Sequence, residues 1–117
     1  MSKYLHTYKE IIAAFDGRNF DRFLDFVTDD IEYHSHVGSP PIIGKQAFRE
    51  FLEEYDQVNS DVEWTIRNHA ENQDIFMVEG LVEQLDTGTG NPIRHEYCGI
   101  LEFRDGKICG WRDYFQK

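Results

Sequence analysis

The second half of the chain restricts the fold most. Four runs with strand-like apolar patterning, 62–70, 75–85, 93–103 and 107–115, follow one another with only short polar or glycine-bearing segments between them. Connections that short join neighbouring antiparallel strands, so these residues predict a sheet meander. Such a sheet has one apolar face, which the rest of the chain must cover.

The first sixty residues supply the cover. Tyr4, Tyr8, Ile11, Ile12 and Phe15 keep the spacing of one helical face, and Asp16-Gly17-Arg18 ends that helix. Asn19 is placed to cap a second short helix, whose Phe20, Phe23, Leu24 and Val27 repeat at i, i+3, i+4 and i+7. Thr28-Asp29-Asp30 closes it and opens a strand over 31–36. Val37-Gly38-Ser39-Pro40-Pro41 reads as a loop, because neither proline can donate to a ladder. Gly44 precedes a third helix marked by Phe48, Phe51, Leu52 and Tyr55, and 56–60 reads as a polar connector. The expected architecture is α+β: three N-terminal helices on a curved, mixed but mainly antiparallel sheet that closes into a cone with one open end.

At 117 residues there is room for one domain, 1–117, with a single core. Twelve basic against 22 acidic residues, a formal net charge of −10, oppose nucleic acid or an anionic membrane as partner. The opening residues carry no apolar run of signal-peptide or membrane-span length, which makes the cytoplasm the expected compartment. Cys98 and Cys109 are too few for a disulfide framework and are expected as free thiols.

Chemistry is concentrated near the end. In the strand 107–115, Cys109, Trp111, Asp113 and Phe115 alternate onto one face and Ile108, Gly110, Arg112 and Tyr114 onto the other. Asp113 thus lies between two large aromatics, where loss of water favours the neutral carboxyl and lifts its pKa toward the range of acid–base work. The competing use of Asp113 is as a frayed terminal residue or a partner of Arg67 or Arg94.

The hairpin register decides what faces it. A three-residue loop Arg104-Asp105-Gly106 pairs Phe103 with Lys107, Gly99 with Trp111 and Tyr97 with Asp113, and sets His95 near Phe115. A two-residue loop pairs Cys98 with Asp113 and brings Glu96 and Glu102 onto the Trp111 face. The apolar pattern favours the first, since a slip of one residue turns every side chain over.

On the first strand, Ile31, Tyr33 and Val37 make the odd-numbered side the more apolar one. Tyr33 and Ser35 are therefore expected inward and His34 outward, with the loop able to turn His36 back toward the cavity. The spacing of His34 and His36 also suits a metal ion, provided that His69, His95 or a carboxylate supplies a third ligand; solvent-exposed histidines are the simpler expectation, and no metal is assigned. Glu79 and Glu83 are further acid candidates, though exposed carboxylates are the simpler reading. There is no Gly-x-Gly-x-x-Gly, Walker loop, Cys-x-x-Cys or Gly-x-Ser-x-Gly, so no cofactor is expected.

With the element order, Asp16-Gly17-Arg18-Asn19-Phe20-Asp21, the loop from Val37 to Gly44 and the ending from Arg104 to Phe115, nearly the whole chain resembles the NTF2-like superfamily. Within it the chain is similar to SnoaL-like and ketosteroid-isomerase-like proteins. Its ending Gly110-Trp111-Arg112-Asp113-Tyr114-Phe115 resembles that of limonene epoxide hydrolases. The last likeness implies that Asp113 activates water with Tyr33, and Ser35 falls where those enzymes have an Asn. Their epoxide-protonating Arg has no counterpart in the run 79–83. Against the steroid isomerases, Ser35, Ile11 and Gly99 stand where the base, the Tyr and the oxyanion Asp would be, so that acid–base set is not carried over. The SnoaL-type cyclases imply a His and Asp pair, here His36 or His95 with Asp113.

The resemblance further implies a homodimer formed through the outer sheet face. Together these readings predict a site for a small apolar, oxygen-bearing molecule, with Asp113, Tyr33, Ser35 and His36 as catalytic residues and Trp111, Tyr97, Phe115 and His95 as its wall. The reaction class would be hydrolase or isomerase; the alternative is a ligand-binding or dimerisation module without turnover.

Overall fold

The computed structural model describes residues 3–115. Helix α1 (Lys3–Asp16) and helix α2 (Phe20–Asp25) precede strand β1 (Val27–His34), a short β2 (Ile42–Ile43) and helix α3 (Lys45–Val58). Strands β3 (Asn59–Asn72), β4 (Ile75–Asp86), β5 (Pro92–Arg104) and β6 (Lys107–Phe115) complete one six-stranded sheet of order β2-β1-β6-β5-β4-β3. The last four strands form the expected antiparallel meander, while β1 runs parallel to β6. No helix among the described residues is long and apolar enough to cross a membrane.

The helices form where apolar spacing and caps direct them. Tyr8, Ile11 and Phe15 bury one face of α1, and Phe48 and Leu52 do so for α3. Asn19 accepts the backbone N–H of Arg22 at 3.1 Å, the side-chain cap expected at the head of α2. Trp111 lies at the centre of the core, stacked on Phe23 at 6.1 Å and edge-on to Tyr33 at 5.4 Å and Phe48 at 6.1 Å. Burial of each large apolar side chain of this kind contributes about 1.5–3 kcal/mol.

Several expectations are corrected. Val27 and Thr28-Asp29-Asp30 belong to β1, not to the end of α2, because Val27 pairs with Ile108 and is fully buried in the sheet. The segment 56–60 is not a connector: α3 continues to Val58 and β3 starts at Asn59, whose side-chain amide donates to the Tyr55 carbonyl at 3.1 Å and ties off the helix. Strand β2 was not foreseen; two residues carry too little pattern, and it exists by pairing with Glu32 and Tyr33.

The largest correction concerns the last hairpin, where neither expected register is found. Asp105 (φ 54) and Gly106 (φ 81) both adopt the left-handed conformation, so the loop has two residues and Arg104 pairs with Lys107. The ladder then shifts between Glu102 and Phe103, where the β6 strand carries one extra residue at Cys109. Before this bulge Ile108 faces the core; after it Trp111, Asp113 and Phe115 do. Asp113 therefore lies opposite Gly99, Trp111 opposite Leu101, and Tyr97 opposite Phe115. Cys109 leaves the Trp111 face, and its thiol approaches the Glu102 carbonyl at 3.5 Å.

Candidate functional site

Helices and sheet enclose a cavity of about 230 Å³. All eight residues singled out from the sequence line it: Asp113, Tyr33, Ser35, His36, Trp111, Tyr97, Phe115 and His95. His34 does not. It turns away and lies 3.6 Å from Glu32, so the two histidines of the His-x-His spacing diverge. Glu79 and Glu83 are exposed, on the outward alternation of β4.

Asp113 is only 5% exposed. Tyr33 donates its hydroxyl to Oδ2 at 2.8 Å, and Trp111, two residues earlier on the same face, donates its indole N–H to Oδ1 at 3.0 Å. Arg67 is engaged on the outside with Glu96 at 3.3 Å. The parallel pairing of β1 and β6 sets Tyr33 beside Trp111 and so within reach of Asp113. Gly99 provides the space. A Cβ there would lie 3.1 Å from Asp113 Oδ1 and 3.3 Å from Val78 Cγ1, so the carboxyl occupies the room of a missing side chain.

Burial pushes the Asp113 carboxyl up to about 7, against the opposing pull of the Tyr33 and Trp111 hydrogen bonds. Burial, and secondarily the neighbouring Asp113, holds the Tyr33 hydroxyl well above its usual range, so Tyr33 stays protonated as a donor.

Toward the loop 35–41 the cavity is lined by Ser35 and His95, both half-buried, and by the exposed His36. The rings of His36 and His95 meet Phe115 edge-on at 5.3 and 5.6 Å. The Val37 N–H donates to the Asp113 carbonyl at 3.3 Å, which binds this loop to β6 and brings Ser35 and His36 to the cavity.

The sequence reading missed three contributors. Trp64 lies on the inward alternation of β3 and donates its indole N–H to Tyr97 Oη at 2.7 Å. Tyr8 of α1, fully buried, meets that same oxygen at 3.0 Å. Gln84 on β4 accepts from Tyr55 and donates to Asn59 Oδ1 at 2.7 Å. Gln84 was detectable in principle, since it shares the inward parity of Phe76, Val78 and Val82. Among the described residues the cavity lining contains no lysine or arginine, and Asp113 is its one carboxyl.

A family model described as SnoaL-like domain matches residues 8–111. Comparison with curated proteins finds no match in sequence. Among solved structures, an NTF2-like protein of unknown function from Burkholderia pseudomallei superposes with a TM-score of 0.88 at 16% identity, covering 99% of this chain and 92% of that one. TerC co-crystallised with polyporic acid gives 0.84 at 21% identity, over 98% and 92% of the two chains. An LEH-like epoxide hydrolase from M. tuberculosis gives 0.82 at 21%, over 97% and 83%.

Proposed function

The chain belongs to the SnoaL-like domain family and has the NTF2-like fold; on that premise we propose that its cavity binds a small, mostly apolar molecule bearing an oxygen function, and that Asp113 acts on it as a general acid or base. The observation that carries this reading is the Asp113 carboxyl, buried at the cavity wall with a pKa of about 7 and held in place by Tyr33 and Trp111. At that pKa both protonation states are populated near neutrality, the condition under which one group serves best as a proton acceptor or donor.

Tyr33 and Trp111 orient the carboxyl, Ser35 and His36 hold water or a polar group beside it, and Phe115, Tyr97 and His95 wall the guest. A volume of about 230 Å³ is below the roughly 300–1,000 Å³ of drug-sized sites, which favours a one- or two-ring molecule over a steroid. Hydrolase or isomerase chemistry at one carboxyl is the reaction class. The epoxide hydrolase and the polyporic-acid-bound TerC among the structural neighbours agree with an oxygen-bearing organic ligand.

The test is a thermal-shift screen with terpene epoxides, cyclic ketones and aromatic polyketides, followed by turnover assays on each hit. Binding to the folded state raises the apparent melting temperature. Asp113→Asn is expected to lower turnover by about 10²–10⁴-fold. In the native protein kcat/KM should rise through about pH 7 if Asp113 is the base and fall through it if Asp113 is the acid. Undiminished turnover in Asp113→Asn removes the carboxyl from the mechanism.

A second reading, binding without turnover, draws on the lack of any lysine or arginine among the described residues of the lining to assist a leaving oxygen; hits that bind but never react between pH 5 and 9 would establish it. We also propose a homodimer through the outer face of β4–β6, where Met77 and Tyr114 are exposed. A monomer mass in light scattering at micromolar concentration would refute that.

A further inference from the structure

Hydrogen-bond accounting around Tyr97 leaves one proton over. Trp64 Nε1 can only donate, and it donates to Tyr97 Oη at 2.7 Å. The Tyr8 hydroxyl lies 3.0 Å from that oxygen on a residue with no exposure at all and outside the cavity lining. A phenol O–H pointed elsewhere in that apolar surround would lose its hydrogen bond, which is costly for a buried donor. Tyr8 therefore donates to Tyr97. The Tyr97 oxygen then accepts twice, and its own O–H has no other hydrogen bond among the described residues.

The ring that carries this hydroxyl is held by a close approach on the neighbouring strand. Gly80 pairs with Tyr97, and a Cβ at Gly80 would fall 3.0 Å from Tyr97 Cε1 and 1.9 Å from the Thr65 carbonyl oxygen. No side chain fits there, so the phenol rests against the β4 backbone with Tyr8 and Trp64 on its oxygen. Two donors feeding one hydroxyl polarise its O–H and strengthen the bond it makes in turn.

We propose that Tyr97 is the hydrogen-bond donor that recognises the ligand's oxygen, and that the ligand is a neutral acceptor such as a ketone, enone, lactone or epoxide rather than a carboxylic acid or a phosphate. The inference rests on the ligand-binding reading above and narrows it. Anions are disfavoured because, among the described residues, the lining offers no lysine or arginine and its one carboxyl becomes negative at high pH. A neutral oxygen taken up by Tyr97 lies in the same cavity as Asp113, which leaves the carboxyl free to exchange a proton with the guest or with water.

The experiment uses an isosteric pair, acetophenone and α-methylstyrene, which differ by a carbonyl oxygen against a methylene. Tyr97→Phe is expected to weaken acetophenone binding about tenfold and to change α-methylstyrene binding less than twofold. Equal changes for both probes, or none for either, overturn the role of Tyr97 and leave the cavity's ligand-binding function standing. If neither probe binds the native protein, the binding reading falls and this role falls with it.

A second measurement does not depend on the variant folding. The infrared carbonyl stretch of acetophenone bound to the native protein is followed from pH 6 to 9. Asp113 is ionised and only an acceptor at pH 9, whereas Tyr97, pushed up to about 12, keeps its proton. A stretch that stays below its value in alkane at pH 9 excludes Asp113 as the donor and, together with the selective loss in Tyr97→Phe, supports Tyr97; one that returns to the alkane value overturns it.

Discussion

The cavity wall holds two buried polar groups that differ in one respect. Gln84 and Asn59, 9% and 7% exposed, form with Tyr55 a closed circuit: the Tyr55 hydroxyl donates to Gln84, Gln84 to Asn59, and the Asn59 amide back to the Tyr55 carbonyl. Every member is neutral and its main hydrogen bonds are internal. Asp113 is equally buried, yet its two donors leave a titratable group with a proton to lose. Closed neutral networks hold elements together; an ionisable group that burial shifts toward neutrality, at the edge of a cavity, is equipped for chemistry.

The difference can be broken by pH. Below about pH 4 Asp113 is protonated in both folded and unfolded chains. From there to about pH 7 the folded chain keeps a proton that the unfolded chain releases, so stability falls as pH rises, and above about 7 the loss is constant. A rise from 3.8 to about 7 corresponds to about 4 kcal/mol. Asp113→Asn removes the titration. It should be more stable than the native protein at pH 8 by up to that amount, with the gap closing by pH 4; denaturant midpoints measured across this range check it.

Gln84→Met should behave differently, costing about 1–3 kcal/mol by stranding the Tyr55 hydroxyl and the Asn59 oxygen, equally at pH 5 and pH 8. A pH-dependent loss would show that the two groups are coupled. Gly99→Ala tests the space beneath the carboxyl. With Oδ1 held by Trp111, the added methyl must displace Asp113 or Val78, and a loss of about 1–3 kcal/mol is expected in thermal unfolding, together with reduced turnover. Tyr33→Phe is the mildest change. It removes a bond that lowers the Asp113 pKa, so the ionisation should move above 7, read as an upward shift of the pH–rate profile, with about 1 kcal/mol lost in stability.

Asp113, Trp111 and Phe115 were legible because side chains two apart in a strand share a face whatever the strand pairs with. Tyr33 and Ser35 followed from the same alternation on β1. The hairpin register was not legible. Asp105-Gly106 signals a two-residue turn, but the bulge at Cys109 that restores Trp111 and Asp113 to the cavity is a property of the paired ladder. Gln84 escaped notice because one polar residue in an apolar run reads as solvent-facing until its partners are known, and they come from the end of α3 and the start of β3.

What the sequence determined on its own was the local order: amphipathic helices first, a four-strand meander last, and an acid set between aromatics near the end. Only the tertiary structure decided what that acid is. Its donor Tyr33 lies 80 residues away and arrives through the parallel pairing of β1 and β6, and its vacant seat is a glycine on the neighbouring strand. Periodicity depends on a residue's own backbone geometry, whereas desolvation and hydrogen bonding depend on whichever distant segments the packed sheet brings alongside.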